Sequence, residues 1–147
     1  MTLENLLKTS QLKSHTAHAQ EIHRLLAAAR RNLDDARATG ISLETRFDAA
    51  YKAIMQAALI ALMANGFRPD TNRPGHHMTV LQSLPKTIGL QNERMSVLDA
   101  LRRKRNLSDY MGENIDDVSV ENCITEAERL LREVEKWLKK NQPGLIS

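Results

Sequence analysis

Hydrophobic residues recur three and four positions apart along most of this chain, which is the spacing of one face of an α-helix. Such stripes predict helices over residues 14–38, 42–65, 92–111 and 120–140, and residues 1–13 carry a short amphipathic helical segment. The stripe of the first long helix consists of Ala19, Ile22, Leu26, Ala29, Leu33 and Ala36. The pattern therefore predicts an all-α fold, an up-and-down bundle of about five helices.

The helix ends are predicted from residues that favour caps. Ser42 is a suitable N-cap for the second long helix, and Gly66 is placed to terminate that helix. Asn92 is predicted to cap the helix over 92–111, and Ser119 with Asn122 is predicted to open the last helix. Three of the four long helices thus have a start signal in the sequence.

Between the second and third long stripes the helical spacing of apolar residues is interrupted. Residues 67–76 contain Pro, Asp, Asn and Gly, which predicts a loop. A short helix follows with Val80 and Leu84, and Pro85 is expected to bend or break it. No sustained alternation of apolar and polar residues occurs anywhere, so no strand is predicted.

Length and composition narrow the class of protein. With 147 residues, of which 41% are hydrophobic, residues 1–147 are predicted to form a single domain ending in a flexible tail at 141–147. The net charge of +3 permits an anionic partner without demanding one. Cys123 is the sole cysteine, which excludes an intramolecular disulfide, and its helical spacing predicts a small packing residue near the core.

The location expected from the sequence is cytoplasmic. The longest apolar run, residues 57–64, is far shorter than the roughly 20 residues of a membrane span, so no membrane association is expected. The first residues include Glu4 and lack the long apolar stretch of a signal peptide.

The helix over 92–111 holds the most informative polar residues. Its apolar stripe of Val97, Leu98 and Leu101 continues, at the same spacing, to Arg105 and Asp109. Buried charge is costly unless it is paired or used. One interpretation is an ordinary ion pair four residues apart near a helix end. The other is a polar site in a cleft or against a second subunit, where an arginine could clamp a phosphate.

Other candidates for chemistry are weaker. Arg102 flanks the same face, but the run Arg102–Arg105 points in four directions around the helix and forms no single patch. His76 and His77 are adjacent, which is poor geometry for joint metal binding and favours a structural or capping role. With no phosphate-binding glycine loop or zinc motif, neither a metal site nor a cofactor is expected.

Five segments together give the chain a resemblance to a known family. They are Ala-Ala-Ala-Arg-Arg-Asn-Leu-Asp-Asp-Ala at 27–36, Arg-Phe-Asp-Ala-Ala-Tyr-Lys-Ala at 46–53, Ala-Asn-Gly-Phe-Arg-Pro at 64–69, Gly-His-His at 75–77 and Arg-Arg-Lys-Arg-Asn-Leu-Ser-Asp-Tyr at 102–110. In order and spacing they resemble the HEPN superfamily, small helical bundles often encoded beside nucleotidyltransferases in prokaryotes. The resemblance covers nearly the whole chain.

The hallmark of that family is an arginine, usually followed by a polar residue, with a histidine four to six residues further on. Arg105 and Asn106 match its first half, whereas Tyr110 stands where histidine is expected. HEPN ribonucleases are metal-independent and combine this motif from two subunits in one cleft. The resemblance therefore implies a homodimer with Arg105, Asn106 and Tyr110 near its axis as candidate catalytic residues, and a nucleotidyltransferase or antitoxin as a possible partner.

Three functional hypotheses follow. The first is a module that binds RNA or a nucleotide without cleaving it, since Arg105 supplies positive charge and Tyr110 is a poor base at neutral pH. The second is an active metal-independent ribonuclease, in which Asp109 or His77 would replace the missing base. The third is a plain interaction bundle. The candidate binding residues are Arg102, Asp109 and His77.

Overall fold

A computed structural model describes residues 2–146 of the chain. Its elements in order are α1 Leu3–Lys8, β1 Leu12–Ser14, α2 Ala19–Ala36, α3 Leu43–Ala64, β2 Phe67–Pro69, α4 His76–Gln82, α5 Leu84–Thr87, α6 Asn92–Met111 and α7 Asp117–Asn141, followed by a 3-10 turn at Pro143–Leu145. The predicted all-α helical bundle is confirmed.

Helix α3 is the centre of the bundle, and α2 and α7 pack along it. Its alanines let the neighbouring backbones come close, and Ala50, Ala53, Ala57, Ala58 and Ala61 are all fully buried. Among the described residues α3 alone has the length and apolar composition of a membrane span. Because 67% of its most apolar window is buried inside the fold, it has the character of the core helix of a globular bundle.

The two outer long helices bury the faces that their spacing predicts. The buried residues of α2 are Ile22, Leu26, Ala29, Leu33 and Ala36. Helix α7 buries the same kind of stripe, and Cys123 lies within it with no exposed surface. Burial raises the pKa of the Cys123 thiol to about 12, assisted by the negative charges of Glu126 and Asp48. Cys123 is therefore a packing residue, as predicted.

The expectation of no strands was wrong. Strands β1 and β2 form a small antiparallel pair in which Leu12 faces Pro69 and Ser14 faces Phe67. Because each strand has only three residues, no alternation could be seen in the sequence, and the partners lie far apart along the chain. The helix predicted from residue 14 accordingly starts later, at Ala19, and the loop predicted over 67–76 begins with β2.

Both chain ends also differ from the prediction. Of the segment predicted over 1–13, the structure describes residues 2–13, and among these Leu3–Lys8 is helical. The tail predicted to be flexible instead contains the 3-10 turn, and the partly buried Leu145 and Ile146 pack against the core. Burial of these two apolar side chains stabilises the packing of the tail against the bundle.

The cap at Ser42 is confirmed, because its side chain accepts a hydrogen bond from the amide of Thr45 at 3.1 Å. Two other predicted caps were wrong. Asn92 is the first helical residue of α6, after an N-cap at Gln91 whose side chain makes no capping bond. Helix α7 starts earlier than Ser119, because the carboxylate of Asp116 accepts from the Ser119 amide at 2.8 Å and caps the helix.

The short helical region breaks where Pro85 predicts. Helix α4 ends at Gln82, and α5 begins at Leu84 with Pro85 in its first turn. Helix α4 carries His77 and packs against both α3 and α6. This packing brings three helices together at one place, where the candidate site lies.

Candidate functional site

Helix α6 directs an apolar stripe with charged ends towards the bundle. Leu98 and Leu101 are buried, as predicted, whereas Val97 is 45% exposed and lies outside the stripe. One turn beyond Leu101, the side chain of Arg105 is only 21% exposed. The interruption of the stripe by charge thus occurs at the expected residue and at a partly buried position.

Arg105 is held by contacts with two helices. Its Nε lies 3.2 Å from Oδ1 of Asp48 on α3 and 2.9 Å from Oδ2 of Asp109 on α6. Its Nη1 donates to Oδ1 of Asn106 at 3.4 Å. The guanidinium carbon lies 5.5 Å from the centre of the Tyr51 ring, within the range of a cation–π contact. No hydrogen bond from Nη2 to any of residues 2–146 is found.

The charge of Arg105 is secured by this environment. Burial by itself lowers the pKa of the guanidinium, but the hydrogen bond with Asp48 and the charges of Asp109 and Asp48 together outweigh burial and raise the pKa. Arg105 is therefore a fixed positive charge whose position is set by α3 as well as by its own helix.

Tyr51 links Arg105 to His77. Its hydroxyl lies 3.3 Å from Nδ1 of His77 on α4, and the centres of the two rings are 6.0 Å apart. Tyr51 is 1% exposed, and burial raises the pKa of its hydroxyl well above the usual value. The hydroxyl is thus protonated, and His77 is its only hydrogen-bond partner within residues 2–146, so the hydroxyl donates and Nδ1 accepts.

The state of His77 follows from this bond. Burial lowers the pKa of His77, and the charges of its neighbour His76, of Arg105 and of Arg102 lower the pKa further. The ring is therefore neutral at pH 7. With Nδ1 accepting from Tyr51, its single proton is on Nε2. His77 consequently presents a hydrogen-bond donor, and no basic nitrogen is left over.

The other predicted residues lie outside this cluster. Arg102 is bound by Asp99 one turn earlier, at 2.8 Å from Nε, and Arg103 lies 3.5 Å from the same carboxylate. Tyr110 is 77% exposed and forms no side-chain hydrogen bond within the part of the chain that the structure describes. The structure thus brings together Arg105, Asn106, Asp109 and His77, and leaves Tyr110 on the surface.

Sequence reasoning missed two members of the cluster, Asp48 and Tyr51. Tyr51 lies on the apolar face of its helix and is buried there. Asp48 directly follows the buried Phe47 in α3, a helix with many apolar residues. A charged residue at this position was the available sign that the fold supplies it with a charged partner.

A second buried charge was also missed, at the opposite end of the α6 stripe. Arg94 is 9% exposed, and its Nε lies 3.2 Å from Oε1 of Glu126 while Nη1 donates to Oε2 of Glu133 at 3.0 Å. Arg94 stands four residues before Leu98 and so shares its face. These two ion pairs join α6 to α7 and are structural contacts.

No group of three or more His, Cys, Asp or Glu side chains within residues 2–146 is arranged to hold a metal ion. No protein-family model matches the chain, and no curated protein matches it in sequence. The chemistry of the site is therefore argued from Arg105 and the residues around it.

Proposed function

We propose that this protein is a HEPN-like module that binds RNA or a nucleotide through its phosphate groups at Arg105, without cleaving it. The observation that carries the proposal is the placement of Arg105. Asp48, Asp109 and Asn106 hold its Nε and Nη1, while no group among residues 2–146 accepts a hydrogen bond from Nη2. A guanidinium fixed on one side and open on the other is prepared for a charge-assisted bond to a phosphate oxygen.

The surrounding charge favours an anion. The ion pairs at and next to Arg105 combine four positive side chains, Arg105, Lys52, Arg102 and Arg103, with three negative ones, Asp48, Asp99 and Asp109. The ring centre of His77 lies 6.0 Å from that of Tyr51, which Arg105 also contacts, and its Nε2 proton adds a neutral donor. Together these groups bind an anion better than a cation.

Binding is favoured over cleavage because the cluster has no base. Cleavage by an internal 2′-hydroxyl requires a group that accepts a proton at neutral pH. Arg105 cannot lose its proton, Tyr51 is buried with a raised pKa, and Nδ1 of His77 is taken by Tyr51. The carboxylates of Asp48 and Asp109 are engaged in ion pairs with Arg105.

One observation favours ribonuclease activity as a second candidate. His77 is neutral at pH 7 and approaches the same ring as Arg105, so an imidazole that a change of tautomer would turn into a base lies near the phosphate ligand. For His77 to act as a base at Nε2, its proton would have to be on Nδ1. The oxygen of Tyr51 would then accept a hydrogen bond from Nδ1–H, and the buried hydroxyl proton of Tyr51 would have no partner.

The proposal includes a homodimer, and exposed apolar residues support it. Leu107, Tyr110 and Met111, at the end of α6 that carries Arg105, are 46%, 77% and 73% exposed. Large apolar side chains clustered on one helix end are a common feature of interaction surfaces. A second copy docked there would bring the C-terminal ends of the two α6 helices, which carry Arg105 on their other face, close to one axis. A nucleotidyltransferase or antitoxin is the competing occupant of this surface.

Fluorescence polarisation with a 5′-labelled single-stranded RNA tests the proposal. Arg105→Ala is expected to weaken binding about tenfold, and Arg105→Lys to restore only part of it, because lysine lacks the forked donors. The control is Arg24→Ala, which removes an exposed arginine near the start of α2, more than two helical turns from the end of α2. Gel electrophoresis of the same RNA after incubation should show it intact. Equal RNA affinity of the wild type and Arg105→Ala would contradict phosphate binding at Arg105. RNA that is cleaved by the wild type and stays intact with Arg105→Ala would support the ribonuclease instead.

A further inference from the structure

A groove runs along the start of α3, directly beside the Arg105 cluster. It has a volume of about 410 Å³ and lies against the end of α2. Ala38, Ile41 and Ala49 give it an apolar wall, and Ile41 is 45% exposed although it is a large apolar residue. Asp35 and Lys52 supply polar groups to the same groove. A flat ligand with apolar faces and polar edges would match this mixture.

The groove and the cluster share a residue. Asp48 lines the groove and also accepts a hydrogen bond from Nε of Arg105 at 3.2 Å. Lys52 lines the groove as well and lies 3.5 Å from the other oxygen of Asp48. A phosphate bound at Arg105 therefore has the groove as its immediate neighbour, so a base attached to that phosphate can reach it.

Two carboxylates line the groove, and they differ in their contacts. Both oxygens of Asp48 are engaged, one by Arg105 and the other by Lys52. The carboxylate of Asp35 is exposed and has neither a hydrogen bond nor an ion pair with any of residues 2–146. Its two oxygens accept hydrogen bonds and cannot donate. The groove thus offers a free acceptor pair to whatever enters it.

We propose that this groove holds a guanine base, whose N1–H and 2-amino group both donate to the carboxylate of Asp35. Guanine alone among the four RNA bases presents two neighbouring donors on its pairing edge. Adenine and cytosine each present one donor beside an acceptor, and the single N–H of uracil lies between two carbonyl oxygens, which repel a carboxylate. Single-stranded RNA is commonly recognised on this edge. The inference rests on the proposed function, since Arg105 binds the phosphate.

The test compares three labelled RNA pentamers by fluorescence polarisation: UUGUU, UUAUU and UUIUU, where inosine (I) lacks only the 2-amino group of guanine. The wild type is expected to bind UUGUU about fivefold more tightly than UUIUU and about tenfold more tightly than UUAUU. Asp35→Asn should bring all three within about twofold of each other, because an amide offers one acceptor in place of two.

Asp34→Asn is the matched control, since Asp34 is the neighbouring residue, loses the same charge, and lies in a different groove beside Arg37. It should keep the preference for guanine. Arg105→Ala should weaken all three pentamers equally and leave their ratios unchanged.

The failures are distinguishable. Equal affinity of the wild type for UUGUU and UUIUU, or a preference that survives Asp35→Asn, overturns the guanine site and leaves phosphate binding intact. If Arg105→Ala binds all three pentamers as tightly as the wild type does, while Asp35→Asn still abolishes the preference for guanine, the proposed function alone is overturned. No binding of any pentamer at about 1 mM protein overturns both.

Discussion

The hydroxyl of Tyr51 donates to Nδ1 of His77 across 3.3 Å and thereby joins α3 to α4 beneath Arg105. The bond decides which nitrogen of His77 carries the proton, because the buried hydroxyl has no other acceptor within the described residues. The same ring of Tyr51 contacts the guanidinium of Arg105. A single buried tyrosine thus sets the protonation of one candidate ligand residue and the position of another.

The first prediction concerns the titration of His77. Its pKa should lie below the ordinary value of 6.5, because burial and the nearby positive charges of Arg105 and Arg102 disfavour the imidazolium. Arg105→Ala should raise this pKa by removing one of those charges. Imidazole NMR resonances followed against pH measure both values, with Arg31→Ala as the variant that should change nothing. A wild-type His77 that titrates at or above 6.5 would contradict the arrangement.

The second prediction is that His77 makes folding less stable in mild acid. Since its pKa is lower in the folded chain than in the unfolded chain, the unfolded state binds more protons as the pH falls through 6.5. The free energy of unfolding should therefore decrease below that pH. His77→Gln should flatten this part of the curve of unfolding free energy against pH in urea titrations. A curve identical to that of the wild type would show that His77 is not the group responsible.

The third prediction concerns Asp48 and Arg105. Their side chains are 29% and 21% exposed, so the pair should contribute about 0.5–1 kcal/mol to stability in a double-mutant cycle of Asp48→Ala and Arg105→Ala. Asp48→Ala alone should also weaken RNA binding about threefold, because it frees the guanidinium from its position. Additive stability changes, with no loss of RNA affinity in Asp48→Ala, would show that the pair does not organise the site.

The fourth prediction separates the two charged ends of the α6 stripe. Arg94→Ala leaves Glu126 and Glu133 without their cation at a nearly buried position, and should lower the free energy of unfolding by about 2 kcal/mol. Arg129→Ala, at an exposed position on α7, should cost less than about 0.5 kcal/mol. Arg94→Ala should keep the RNA affinity of the wild type under folded conditions. A selective loss of RNA binding would make Arg94 part of the functional site.

Much of the fold could be predicted because three helices bury continuous stripes. The spacing of Ile22, Leu26 and Leu33 in α2 gives its buried face directly, since 3.6-residue periodicity is a local property. The strand pair of Leu12 with Pro69 could not be seen in this way. Its register depends on contacts between distant segments, and three residues carry no detectable alternation.

The site was predictable only in part for a related reason. Arg105 could be found because it interrupts an apolar stripe within one helix. Its partner Asp48 lies 57 residues away, and nothing local to either residue indicates that pairing. Tyr51 was hidden by its own hydrophobicity, because an aromatic residue on a buried face is expected whether or not its hydroxyl has a role. The proton on Nε2 of His77 depends on both helices and so required the structure.

The dependence of RNA affinity on salt tests phosphate binding at Arg105 most directly. For single strands, each phosphate contact contributes about −0.7 to the slope of log K against log salt concentration. The slope of Arg105→Ala should therefore be shallower than that of the wild type by about 0.7 per site, while Arg24→Ala should keep the wild-type slope. Parallel lines for the wild type and Arg105→Ala would show that Arg105 contacts no phosphate.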